Sequence, residues 1–505
     1  MRIIVMLMTL GAWMMGVRPA VAAPPSAPPV YEVSEFGAVG DGRHLDSPAI
    51  NAALLKASRD GGVVKVGKGT YLCYSLHLQS GVTLRLEEGA VLKAAPVTAT
   101  EGYDEAEGEA SPYQDFGHSH WHNSLLWGEG LHDVTVEGKG LIDGSDVLTR
   151  NGRHNAGTEP TVANKALALR DCRNVCVRDV SFLSCGHFAM LLTGVDHLLI
   201  ENVTVDTNRD GIDIDCCQQV VVRSCRVNTV NDDAIVLKCS YALGWPRPTE
   251  HVLIEDCQVS GYDVGSVLGG APATTAVKAP DGDGPTGRIK LGTESNGGFR
   301  HITIRRCTFT HCRGLALETV DGAAMEDVNV SDITMSDICN SPIYIRLGDR
   351  MRGPEGLPPS SVSGIRISGI DVDQADSRYA ILIVGAPGHP VSNVSLSDIR
   401  VRFRGGLTLD DVEQQRGSNP FFFDHHGTAI ISRSDGGGYP EPSAHGIQPA
   451  WGLSVSHASD LRLSNVRLET IEADERPAVY MQHNRKVRFR HVTAFNAGRP
   501  ASLGH

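Results

Sequence analysis

The strongest constraint on the fold is a short pattern, apolar-x-apolar-x-x-apolar-x-apolar, that recurs along the 505-residue chain. It reads VCVRDVSF from Val175, LLIENVTV from Leu198, VVVRSCRV from Val220, VLIEDCQV from Val252 and ITIRRCTF from Ile302. It returns as VNVSDITM from Val328, IRISGIDV from Ile365, VSLSDIRV from Val394, LRLSNVRL from Leu461 and, more weakly, VRFRHVTA from Val487. Period-two apolar alternation means strands, and a strand repeated at a fixed interval means a stack. The tightest intervals, 23 and 22 residues from Val175 to Leu198 to Val220, hold one coil of three short strands and their turns. β-Branched content and the lack of a 3.6-residue period exclude a helix-pair repeat. The expected fold is all-β, a single-stranded right-handed parallel β-helix in which each coil covers the apolar edge of the one before.

A second series lies between these strands, including DGIDIDCC, DAIVLKCS, GRIKLGTES, GLALETVDG and PIYIRLGD. Alternation turns Ile212, Ile214, Ile235, Leu237, Ile289, Leu291, Leu315 and Leu317 inward. It turns Asp213, Asp215, Val236, Lys238, Arg288, Lys290, Glu318, Tyr344 and Arg346 outward, as either a solvated surface or a binding groove. Cys225, Cys257 and Cys307 share one inward position, so most of the 12 cysteines are expected as free thiols acting as small hydrophobes.

Arg2, the apolar run Ile3 to Gly16 and Ala20-Val21-Ala22 form a secretory signal pattern over residues 1–23, followed by a Pro-rich linker over 24–30. Residues 31–505 are then one β-helix domain, with loop insertions near 261–287 and 403–452. The second insertion carries FFFDHHG from Phe421 and YPEPSAHGIQPAWG from Tyr439, which form either a wall over a groove or a packing insert. SPAINAALLKAS from Ser47 reads as an amphipathic helix, a short N-terminal helical cap on the open end of the stack. No later segment approaches about 20 uninterrupted apolar residues, so membrane insertion is not expected. The expected setting is secreted or periplasmic, with a monomer as the working unit. A net charge of −13 removes nucleic acid as a partner.

Asp210 lies in NRDGID, and Asp232 and Asp233 lie in NDDAIVLK, 22 and 23 residues later. One coil apart, these carboxylates stand about 4.8 Å from each other in the backbone. Like charges so close raise at least one pKa, which keeps one carboxyl protonated beside an ionised one, as glycosidic hydrolysis requires. The bland alternative is an Asp ladder satisfying backbone N–H groups in turns. His187, 23 residues before Asp210, falls one further rung along the column, as a substrate contact or as a turn residue. His118, His120 and His122 alternate like metal ligands or like one face of a strand, and with no second ligand cluster no metal or other cofactor is expected.

NRDGID followed by NDDAIVLK resembles, in order and spacing, the Asn-Thr-Asp and Gly-Asp-Asp motifs of the family-28 glycoside hydrolases, the polygalacturonases and rhamnogalacturonases. FGAVGDG with the helix after it resembles the opening of that superfamily. The resemblance implies inverting hydrolysis without metal, with Asp232 as general acid and Asp210 and Asp233 activating water. Arg209 replaces the family's Thr and Asn231 its Gly, and the expected Gly-His-Gly motif is missing. The family's Arg-Ile-Lys, which contacts a uronate carboxylate, has two registers here. Distance favours Arg288-Ile289-Lys290; the flanking patterns favour GLALETVDG, with Ala316 and Glu318 in place of the basic pair. The second preserves the spacing better and moves rhamnogalacturonan or another glycan up relative to homogalacturonan. Expected substrate contacts are His187, Asp213, Lys238, Arg288, Lys290, Glu318 and Arg346, holding an acidic polysaccharide locally despite the negative total. Loops at both insertions favour exo action. The rival expectations are a calcium-dependent β-helix polysaccharide lyase using the acidic column and a non-catalytic glycan-binding β-helix.

Overall fold

The computed structural model describes residues 27–504 apart from 99, 110, 115, 146, 150–160, 276–283 and 419–439. The signal pattern at 1–23, the start of the linker and the FFFDHHG segment lie outside the described residues.

The repeated pattern folds as parallel strands in the register its alignment predicts. Val175 pairs with Leu198, Leu198 with Val220, Val220 with Val252 and Val252 with Ile302. The column continues through Val328, Ile365, Val394 and Leu461. A coil is three strands, for example Asp196–Glu201, Thr204–Thr207 and Asp210–Asp215, followed by Gln218–Arg223, Arg226–Thr229 and Ile235–Cys239. Each strand pairs with its equivalent one coil away, so the stack has three faces. From Ala324 onward the first two strands of a coil run on as one, as in Ala324–Ile338 and Ser361–Ala375.

The chain turns between faces on residues with left-handed backbone. One such column runs through Asn174, His197, Gln219, His251, His301 and Asp327, with φ between 52° and 58°. A second runs through Asp179, Asn202, Ser224, Asp256, Arg306 and Asp332. Asn, Asp and His tolerate this region better than other side chains, and Gly364 and Gly369 take the same places where the columns continue. The exposed side chains then pair along the stack: Asn202 donates to Asp179 at 2.7 Å, and His251 stacks on His301 at 4.7 Å.

Inside, Val220, Val222, Ile212, Ile214, Ile235 and Leu237 are buried, each contributing roughly 1.5–3 kcal/mol. Cys225, Cys257 and Cys307 stack there as small apolar groups, and no disulfide forms among the described residues. Near the N-terminus, helix Ser47–Asp60 starts with Pro48 in its first turn and buries Ala49, Ile50, Ala53, Leu54 and Ala57 against the first strands. The first insertion folds back on the second face, where Asp206 accepts the N–H groups of Val267 and Leu268 at 3.0 and 2.9 Å.

Candidate active site

The third face carries the outward residues of the second series, and here the structure departs from a solvated surface. Asp213, Val236, Lys238, Arg288, Lys290, Glu318 and Tyr344 point away from the coil interior yet are buried. Two distant segments cover them. Near the start, the turn Phe116–His118 brings His118 against Lys238 (2.5 Å) and Asp213 (3.8 Å). Near the end, Glu441 and the turn Pro442–His445 close the other side, His445 meeting the Tyr344 hydroxyl at 2.8 Å. An apolar cluster flanks the site at each end, Trp121, Ala168, Phe188 and Leu191 before it and Ala316, Tyr344, Leu382 and Val384 after it.

At the centre, carboxylate oxygens of Asp210, Asp232 and Asp233 lie within 4.8 Å of one another. The strand starting at Asp210 stacks between Phe188–Thr193 and Ile235–Cys239, which places Asp210 between His187 and the Asp pair. Asp210 is buried; desolvation, then the Asp232 charge, pushes its pKa well above the ordinary carboxylate range. Asp232 is the accessible member, with 23% of its side chain exposed, and it accepts a hydrogen bond from Arg209 at 2.6 Å. The Arg209 replacement thus acts directly on one of the three carboxylates. Asp233 is buried against Arg288 at 2.9 Å and Lys290 at 3.4 Å.

Around this centre, Lys238 sits 2.7 Å from Asp213 and 3.6 Å from Glu294. Burial opposes its charge, but those two carboxylates hold its pKa well above normal. Burial raises Asp213 to about 7 against the pull of Lys238. Glu318 is raised by burial to about 8, and its oxygens accept no hydrogen bond among the described residues. Arg346 is its cross-strand partner, with Nη1 buried and without a hydrogen bond among the described residues. Both ring nitrogens of His187 are likewise unsatisfied, 3.8 Å from Asp210 at the nearest. Desolvation and the nearby Arg209 keep that ring neutral.

The two acidic groupings with metal-ligand spacing, Asp210 with Asp232 and Asp233, and Asp210 with His118 and His187, lie among Arg209, Lys238, Arg288 and Lys290, whose charges oppose a cation. His118, His120 and His122 form neither a strand face nor a ligand triad. His118 joins the site, while His122 stacks on Trp127 at 3.9 Å.

All ten residues expected at the site therefore lie along one face, with Arg288 and Lys290 one coil beyond the Asp pair and Ala316 and Glu318 one coil further. Sequence reasoning missed Glu294, Arg313 and Glu441. Glu441 had one usable signal, its place in the aromatic and His-rich second insertion.

These features define an acidic-centred site on the side of a parallel β-helix. Residues 133–278 match the family model described as right handed beta helix region. The chain is 24% identical over 399 residues, 73% of each chain, to a protein named "Probable polygalacturonase" from Vitis vinifera. It is 23% identical to an exopolygalacturonase of Platanus acerifolia, over 74% of this chain and 91% of that one. The solved family 28 exopolygalacturonase of Yersinia enterocolitica superposes with a TM-score of 0.58 at 15% identity, covering 93% of this chain and 78% of that one, and shares its fold. The resemblance carried by the two Asp motifs thus extends over most of the chain.

Proposed function

We propose that this protein is a glycoside hydrolase that cleaves pectic polysaccharide by inverting acid/base chemistry, acting from chain ends. The observation that carries this is the triad of carboxylates within 4.8 Å, one of them kept protonated by burial. Burial keeps a proton on Asp210, and the neighbouring Asp232 relays it. Asp232, the exposed one, gives it to the glycosidic oxygen as the C–O bond breaks. Asp210, once it has given up its proton, and Asp233, oriented by Arg288 at 2.9 Å, take a proton from the water that attacks the anomeric carbon from the opposite face. That proton on Asp210 returns to Asp232, and the site is reset. The unsatisfied groups of His187, Glu318 and Arg346 are suited to sugar hydroxyls and carboxyls. The close approach of the carboxylates is shorter than the about 6.5–9.5 Å common in inverting enzymes, so water enters only as side chains splay around substrate.

Export through the 1–23 signal, a monomeric β-helix over 31–505 and end-capping by helix Ser47–Asp60 complete the reading. No helix among the described residues is long and apolar enough to cross a membrane. The rival calcium-dependent lyase would use the same acidic grouping, against the opposing charges of Arg209, Lys238, Arg288 and Lys290. Asp232→Asn should lower kcat on pectic oligosaccharides by about 10²–10⁴ with glycan binding retained, and NMR should find the first-formed anomer inverted. Full activity in the variant sinks the acid assignment; a retained anomer sinks inversion; an unsaturated, ultraviolet-absorbing product that chelator abolishes means the lyase.

A further inference from the structure

The pair Arg288 and Lys290 is where a uronate carboxylate would be expected to bind beside the acids, and this chain's own carboxylates already occupy it. Arg288 donates through Nε to Asp233 at 2.9 Å and through Nη1 to Glu441 at 3.0 Å, while Nη2 bonds the second Glu441 oxygen. Arg313 reaches the same carboxylate at 3.1 Å, and Lys290 stands 3.8 Å from it. Arg288 and Lys290 are each 1% exposed, so neither presents surface to a ligand.

We infer that Glu441 stands in for a substrate carboxylate, and that the sugar seated beside Asp232 and Asp233 is a neutral one. The inference rests on the glycoside hydrolase reading and narrows its substrate class.

Three cations gathered in a buried place require counter-charge, and a bidentate carboxylate on an arginine fork is the strongest form available. With Nε on Asp233 and both Nη atoms on Glu441, the bidentate end of the Arg288 fork is already taken. An incoming uronate would meet the like charges of Glu441 and Asp233 instead. Burial acts to raise Glu441, but Arg288, Arg313 and Lys290 hold it at about 2, so it stays ionised under all ordinary conditions. The next coil adds to the argument. It presents Ala316 and Glu318, whose carboxyl burial keeps largely protonated below about 8, so neither offers a uronate a positive charge. A neutral sugar needs only hydroxyl partners and meets none of these penalties.

The test measures calorimetric binding, and kcat/KM in parallel, for a trigalacturonate and its carboxyl-reduced galactose counterpart with identical linkages. Wild-type protein should bind the neutral trimer at least about tenfold more tightly, and Glu441→Gln should shift that ratio toward the acid by about tenfold or more. Tighter binding of the acid by wild type overturns the inference, as does an unchanged ratio in folded Glu441→Gln, or binding of neither trimer. Where the variant fails to fold, the wild-type ratio decides alone. A neutral preference in binding with no hydrolysis of either trimer supports the neutral seat and overturns the hydrolase reading.

Discussion

At the residue scale the site depends on burial doing different work on chemically identical groups. Asp210 is stripped of water and keeps its proton, Glu441 is equally enclosed yet stays ionised, and the difference is the cations each one touches. Glu318 lies between these cases, and it carries a stability cost. Its folded pKa of about 8 is above the 4.5 of a free glutamate, so its contribution is fully present below about 4.5 and is lost as pH rises through about 8. Glu318→Gln should therefore flatten the fall in melting temperature between pH 5 and pH 8; an equal or steeper fall in the variant refutes this. The carboxylates proposed as catalytic could be found in the sequence because their 22- and 23-residue spacing equals one coil. Glu441 could not, since it reaches Arg288 from 153 positions away through an insertion with no repeat to fix its place. Arg209 was visible as a substitution, but its reach to Asp232 depends on a side-chain direction that spacing does not encode.

At the scale of the element, strands and register were legible because the interior accepts only one alternation, and a slip by one residue would turn every apolar side chain outward. The helix at Ser47–Asp60 was legible for the same reason, from its apolar face. What the pattern did not reveal is that outward need not mean exposed: the third face is covered by segments foreign to the repeat. The left-handed columns give a sharp test of how each turn is held. Gln219 is exposed at φ 58°, between His197 and His251. Gln219 already bears the Cβ cost of this region, so Gln219→Val should lose stability in denaturant unfolding through its branched Cβ while Gln219→Gly loses little or gains; equal effects would mean that the column sets no conformational demand.

For the whole molecule, the covering segments turn a surface groove into an enclosed site. His118 closes one side and Glu441 with His445 the other, while Asp232 keeps the accessible position. On the hydrolase reading proposed above, such cover would favour a chain end over a chain passing through. Digestion of a long pectic polymer should accordingly release mono- or disaccharides from the outset with a slow fall in viscosity; an early ladder of intermediate oligomers refutes end-wise action. The net charge of −13 describes the outer surface and says little about this interior, where cations and carboxylates are matched group by group.

The stacked third face is also a graduated scale. Its marks are the coils, about 4.8 Å apart, with His187, Asp210, the Asp pair, Arg288 and Glu318 read off in sequence. Duplicating the coil that ends in Leu315–Thr319, Phe299 through Thr319, would slide Arg346 one mark further from the carboxylates and leave those carboxylates in place. A fold of this kind can move one outward side chain relative to another by counting coils, without altering any of the side chains proposed for catalysis.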